Sequence, residues 1–141
     1  MSDNRDNRDI LVPVSPGELL DKITILRIKS ERIKDPAKLA NVRLELTLLT
    51  QTWDQNTPGT DVSAETTALQ AVNEQLWDIE DRIRDKEAAC SFDAEFIELA
   101  RQVYLRNDER AAIKKRVNTR MGSRIIEEKS YASYGSSPAQ K

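Results

Sequence analysis

Three charged residues sit on or beside helical seams where apolar side chains would be expected: Arg43, Glu80 and Arg110. At about 100° per residue, Phe96, Leu99, Val103, Val117 and Met121 fall on one helix face, and Arg110 falls at its centre with Asn107 and Lys114 beside it. An isolated buried charge is costly, so Arg110 must be paired or the seam must open around it. Glu80 borders a second seam (Leu69, Val72, Leu76, Ile79, Ile83), in heptad register with Asn73 and Glu87. Arg43 lies one step from a third seam, made by Leu39, Val42, Leu46, Leu49 and Trp53. Converging, the three charges would make either a buried ion-pair network or a site in which two guanidiniums grip a carboxylate or phosphate, with Glu80 as orienter. The pattern predicts Arg110 mostly buried and bonded to Glu80.

The chain contains no histidine and one cysteine, Cys90. Ser-His and Cys-His nucleophiles, imidazole metal ligands, internal disulfides and thiolate zinc sites are therefore excluded. There is no Gly-rich phosphate loop, and Asp78, Glu80 and Asp81 have no acidic pair on another helix spaced to complete a Mg²⁺ site. No metal and no cofactor are expected. Arg, Lys, Glu and Asn suffice to bind an anion, or to run a metal-free reaction that needs only electrostatic stabilisation of developing charge. Twenty-two basic against 24 acidic residues give a net charge of −2, which draws the chain neither to nucleic acid nor to an anionic membrane. The basic run from Arg110 to Arg124 lacks interleaved aromatics and faces an acidic region at 65–87, so nucleic acid is not an expected partner. No run approaches the ~18 apolar residues of a membrane span. The polar N-terminus does not read as a signal peptide, and a cytoplasmic location is expected.

The elements that must position these residues are helical. A chain with 33% charged residues and only 4 glycines has the balance of surface-charged helices. One domain is expected over 10–134, between disordered ends at 1–9 and 135–141. Ile10-Leu11-Val12-Pro13-Val14 suits an edge strand or a strap across the bundle. Ser15-Pro16-Gly17-Glu18 is a capping box that starts helix one at Pro16. Its seam of Leu19, Ile23, Leu26 and Ile33 is widened by Leu20, Ile25 and Ile28, so the helix is central or buried in a homodimer. Asp35-Pro36 opens helix two, helix three covers 64–89, Ser91-Phe92-Asp93 caps helix four, and Gly122 stops it. The result is an all-α, four-helix antiparallel bundle with a short extended N-terminal segment and a C-terminal strap. Ile125, Ile126, Tyr131 and Tyr134 predict that residues 123–134 fold back and meet 12–22. Lys129 and Tyr131 would then join Asp21, Lys22 and Arg110 as a lid over the polar site. The stripe Arg101, Tyr104, Asp108 and Lys115 reads as a solvated face.

Val12-Pro13-Val14-Ser15-Pro16-Gly17-Glu18-Leu19-Leu20-Asp21-Lys22-Ile23-Thr24-Ile25-Leu26, Asp35-Pro36-Ala37-Lys38-Leu39-Ala40-Asn41-Val42, Leu76-Trp77-Asp78-Ile79-Glu80-Asp81, Asn107-Asp108-Glu109-Arg110-Ala111 and Glu128-Lys129-Ser130-Tyr131 together resemble a family of small bacterial proteins known only as a domain of unknown function. One position departs from the family pattern: Arg27 stands where an acid is expected. The resemblance implies no activity, only a loose association with surface-polysaccharide and sugar-transfer systems. Two readings follow. The first is an interaction module that dimerises through its over-apolar first helix. The alternative is a small-anion (phosphosugar or carboxylate) binding protein or metal-free enzyme built on Arg110.

Overall fold

A computed structural model describes residues 8–57 and 59–134, so the expected disorder at 1–7 and 135–141 lies outside the described residues. The chain is all-α: α1 (Pro16–Arg32), α2 (Pro36–Asn56), α3 (Ser63–Ala88) and α4 (Ala94–Arg120). Three of the starts are fixed by side-chain caps. Ser15 Oγ accepts from the Glu18 N–H (3.2 Å), Asp35 from that of Lys38 (2.9 Å) and Asp93 from that of Phe96 (3.0 Å). α3 has no such cap; its N-cap, Val62, is buried instead.

α1 runs antiparallel to α4, with Gly17 opposite Asn118 and Asp21 opposite Lys114, and parallel to α3, with Thr24 opposite Asn73 and Arg32 opposite Asp78. Leu20, Val62, Leu69, Val72, Ile113 and Val117 form the core where these three helices meet, with Trp53 and Met121 packed against it. α3 and α4 have 26 and 27 residues against 17 in α1, so the tip of their hairpin projects past the end of α1. Among the described residues the backbone of α2 approaches α1 alone, Trp53 reaches the core from its end, and none of its residues is fully buried. The four helices thus form a three-helix core with α2 laid against it.

This packing bears on two expectations. All three other helices contact α1, and Leu20 and Ile28 are only 3% and 1% exposed. The apolar excess of α1 is thus largely covered within one chain, with Ile25 left half-buried, and α1 is the central helix. The segment 10–14 is extended but neither strand nor strap; Ile10 and Leu11 are 87% and 92% exposed.

The last turns of α3 and α4 end alike. Ser123 N–H reaches Asn118 O (2.9 Å) around Gly122 at φ 67°, and Ser91 N–H reaches Lys86 O (2.9 Å) around Cys90 at φ 52°. This left-handed position favours glycine and costs other residues about 1–2 kcal/mol. Cys90→Gly is therefore expected to stabilise the protein by about 1 kcal/mol, read as a higher urea midpoint at unchanged m-value.

Candidate functional site

The first turn of α1 lies directly on α4. Gly17 N–H donates to Asn118 Oδ1 at 2.7 Å, and a Cβ at Gly17 would stand 2.5 Å from the Lys114 carbonyl oxygen. Only glycine permits this approach. It brings α1 carboxylates to the Lys114 ammonium: Glu18 at 2.7 Å and the buried Asp21 at 3.9 Å. Asn73 of α3 completes the arrangement by donating to Asp21 Oδ1 (2.8 Å) and Thr24 Oγ1 (2.9 Å). Arg110 Nη1 then donates to Asn73 Oδ1, at a long 3.5 Å. A chain of polar contacts therefore runs from α1 through Asn73 to the guanidinium at the centre of the α4 face.

Burial acts to lower the pKa of Lys114, but the hydrogen bonds to Glu18 and Glu127 and the charges of Glu18 and Asp21 outweigh it and raise the value. The Lys114 hydrogen bond, against an opposing effect of burial, holds Glu18 below its ordinary 4.5. Both groups are charged at neutral pH, and neither serves as a proton shuttle there.

Beyond Gly122 the chain reverses. Ser123 Oγ accepts from the Ile125 N–H (3.1 Å) and donates to the Ile125 carbonyl (2.9 Å), a tight turn that sends residues 124–134 back along α4. Glu127 Oε2 meets Lys114 Nζ at 3.0 Å. Further on, Tyr134 packs edge-on against Tyr104 (4.9 Å between centroids) and donates its hydroxyl to Asp108. That hydrogen bond, with burial, raises the Tyr134 pKa and keeps the phenol protonated. The strap and the 12–22 stretch share Lys114, whose ammonium also holds Glu18 and Asp21, and are joined through that cation and not by a recorded contact of their own. Tyr104 and Asp108, read from sequence as solvated, are partners of the strap.

Between strap and α4 lies an open groove of about 910 Å³, lined by Tyr104, Asn107, Asp108, Arg110, Lys129, Tyr131 and Tyr134 among others. Four residues singled out in the sequence, Asn107, Arg110, Lys129 and Tyr131, line this one groove. Asp21 lies behind it in the Lys114 and Asn73 network. Lys22 is exposed, and its ion pair is with Glu18 at 3.9 Å.

The expected Arg43, Glu80 and Arg110 triad does not form. Arg43 is exposed on α2, whose backbone approaches α1 and neither α3 nor α4. Glu80 is exposed and pairs with Arg84 one turn along its own helix (3.6 Å), while Arg110 is half-buried and bonds Asn73. Asn73 and Glu80 share a heptad phase, but α1 reaches along α3 only to Asp78, so Asn73 is covered and Glu80 is not. Gly17, Lys114, Asn118 and Glu127 were absent from the sequence-derived site. For Lys114 and Asn118 a signal existed: two polar residues one turn apart on the apolar face of α4. Among the described residues no group of three or more His, Cys, Asp or Glu side chains is placed to hold a metal ion.

A family model matches residues 10–141, and the family it describes is DUF6165, of unknown function. The chain belongs to the DUF6165 family. Comparisons with curated proteins and with solved structures return no match. In this DUF6165 chain the matched region spans the strap as well as the helices, so all the groove residues fall within it. No helix among the described residues is long and apolar enough to cross a membrane.

Lys114→Met is expected to destabilise the fold by about 3 kcal/mol, because it leaves Asp21 buried without its cation. Glu127→Gln, at a half-exposed carboxylate, should cost under about 1 kcal/mol in the same denaturation measurement. Glu18 supplies a pH dependence. Its pKa is lowered in the folded state, so its contribution is complete above 4.5 and is lost as pH falls through the lowered value. Stability measured from pH 6 to 3 should fall less steeply in Glu18→Gln than in the wild type.

Proposed function

We propose that this protein binds a small organic anion in the groove between α4 and the strap. The observation that carries the reading is the state of Arg110. Its guanidinium is half-buried, makes one long hydrogen bond to an amide oxygen, and has no ion pair with a carboxylate among the described residues. An arginine has five N–H donors, and a planar fork of this kind suits carboxylate or phosphate oxygens. Lys129 adds a second cation, its Nζ 5.5 Å from the Tyr131 ring centroid. The only carboxylate lining the groove among the described residues, Asp108, accepts the Tyr134 hydroxyl. Two cations against one acid give the groove a local positive charge in a chain whose net charge is −2.

Other cavities suit this role less well. A smaller one of about 310 Å³ further along the strap sets Lys114, Lys115 and Lys129 against Glu127 and Glu128, but Lys114 is committed to Glu18 and Glu127 and no arginine fork lines it. Histidine is absent and Asp108, the one carboxylate among the described lining residues, is engaged by the Tyr134 hydroxyl, so binding describes the chemistry of the groove better than catalysis. Self-association is a second reading, moved from α1 to the exposed arm: Ile10, Leu11, Val12 and Val14 range from 42% to 92% exposed. Sedimentation of a variant with Ile10 and Leu11 changed to Ser tests it; an oligomeric state shared with the wild type removes the arm as an interface.

Titration calorimetry with inorganic phosphate and citrate at low ionic strength tests the anion reading. Arg110→Gln should weaken binding by tenfold or more, as expected for loss of a charge-assisted hydrogen bond of about 1.5–3 kcal/mol. Lys129→Gln should weaken it severalfold and reduce its salt dependence. Absence of binding by the wild type, or affinity unchanged in Arg110→Gln, overturns the reading.

A further inference from the structure

Arg110 and Asn107 line two cavities, not one. Besides the strap groove, they border a second groove of about 500 Å³, shared with Ile25 of α1 and with Leu76, Trp77, Glu80, Asp81 and Arg84 of α3. The two grooves therefore lie on either side of the Asn107 and Arg110 side chains, and their chemistry differs. The strap groove presents cations and phenol rings. In the second, apart from the shared guanidinium, two carboxylates stand against one cation, and Arg84 is already paired with Glu80 at 3.6 Å.

That second groove is unsuited to an anion, which Glu80 and Asp81 would repel. Ionised carboxylates accept hydrogen bonds and donate none, so they suit a ligand rich in hydroxyl donors. Half-buried Ile25 and the indole of Trp77, which carries the Arg32 guanidinium over its ring at 5.9 Å and leaves its other face for a ligand, offer apolar and aromatic surface for the C–H face of a saturated ring. Such a combination of acceptors and flat apolar surface fits a neutral polyhydroxyl ring. Resting on the anion reading above, we infer that the ligand is a phosphorylated sugar, its phosphate in the strap groove on Arg110 and Lys129 and its sugar ring in the adjoining groove between Trp77 and the Glu80 and Asp81 carboxylates. Asn107, with both donor and acceptor atoms at the boundary, lies where the ester oxygen would pass. A simple carboxylate or inorganic phosphate would fill only half of this surface.

Titration of the full chain with inorganic phosphate, glucose, glucose 1-phosphate, glucose 6-phosphate and ribose 5-phosphate separates this inference from the reading beneath it. At least one sugar phosphate should bind tenfold or more tightly than inorganic phosphate. The double variant Glu80→Gln, Asp81→Asn changes two exposed side chains and should fold as the wild type does. It should bring sugar-phosphate affinity down towards that of phosphate and leave phosphate affinity within twofold. Lys129→Gln should weaken both ligand classes alike. If phosphate binds and no sugar phosphate exceeds it, or if the double variant leaves the sugar-phosphate preference intact, the sugar subsite is overturned while anion binding stands. If neither phosphate nor any sugar phosphate binds, both fall together.

Discussion

The structure depends on one close approach: the first turn of α1 resting on the backbone of α4 at Gly17. Without a side chain there, the Gly17 N–H reaches Asn118, and Glu18 and Asp21 arrive at the Lys114 ammonium. A carboxylate as buried as Asp21 is tolerable only with partners, and it has them in Lys114 and Asn73. Because Lys114 also takes Glu127, the same cation that seats α1 holds the strap. Removing the glycine's freedom would thus disturb three parts of the molecule at once.

The groove is a by-product of this arrangement as much as a feature of its own lining. Asn73 is engaged through its amide nitrogen by Asp21 and Thr24, which leaves its carbonyl oxygen facing Arg110. A neutral acceptor orients the guanidinium without neutralising it. Had an acid stood at Asn73, Arg110 would be a satisfied core ion; with an amide there, its charge is kept for the groove. This is the difference between a structural arginine and one able to receive a ligand.

Much of the fold was legible because it is encoded locally. Ser15, Asp35 and Asp93 announce helix starts by side-chain chemistry, Gly122 announces a stop, and the seams of α3 and α4 follow from period alone. Arg110 stood out for the same reason. The partner of Arg110 was not legible, since Asn73 and Glu80 occupy equivalent phases of one helix and only the reach of α1 along α3 distinguishes them. Periodicity shows that α2 has an apolar stripe, but not that its backbone would approach α1 alone, and so Arg43 was misplaced. The role of Tyr104 and Asp108 was hidden because their partner Tyr134 belongs to a segment without periodicity, where only composition speaks.

The approach of the α2 backbone to α1 alone has a meaning in the order of synthesis. Gly17 and Asn118 are 101 residues apart, and at about 5–20 residues per second the ribosome needs several seconds to deliver α4 after α1 has emerged. During that interval α1 exposes a helix designed to be buried on nearly every side, a hazard for a nascent chain. α2 follows it after a three-residue turn and can close over one flank at once, forming a local hairpin before any distant contact is available. A helix that contributes no fully buried residue to the finished core is thus suited to serve as the first chaperone of the helix on which that core is built.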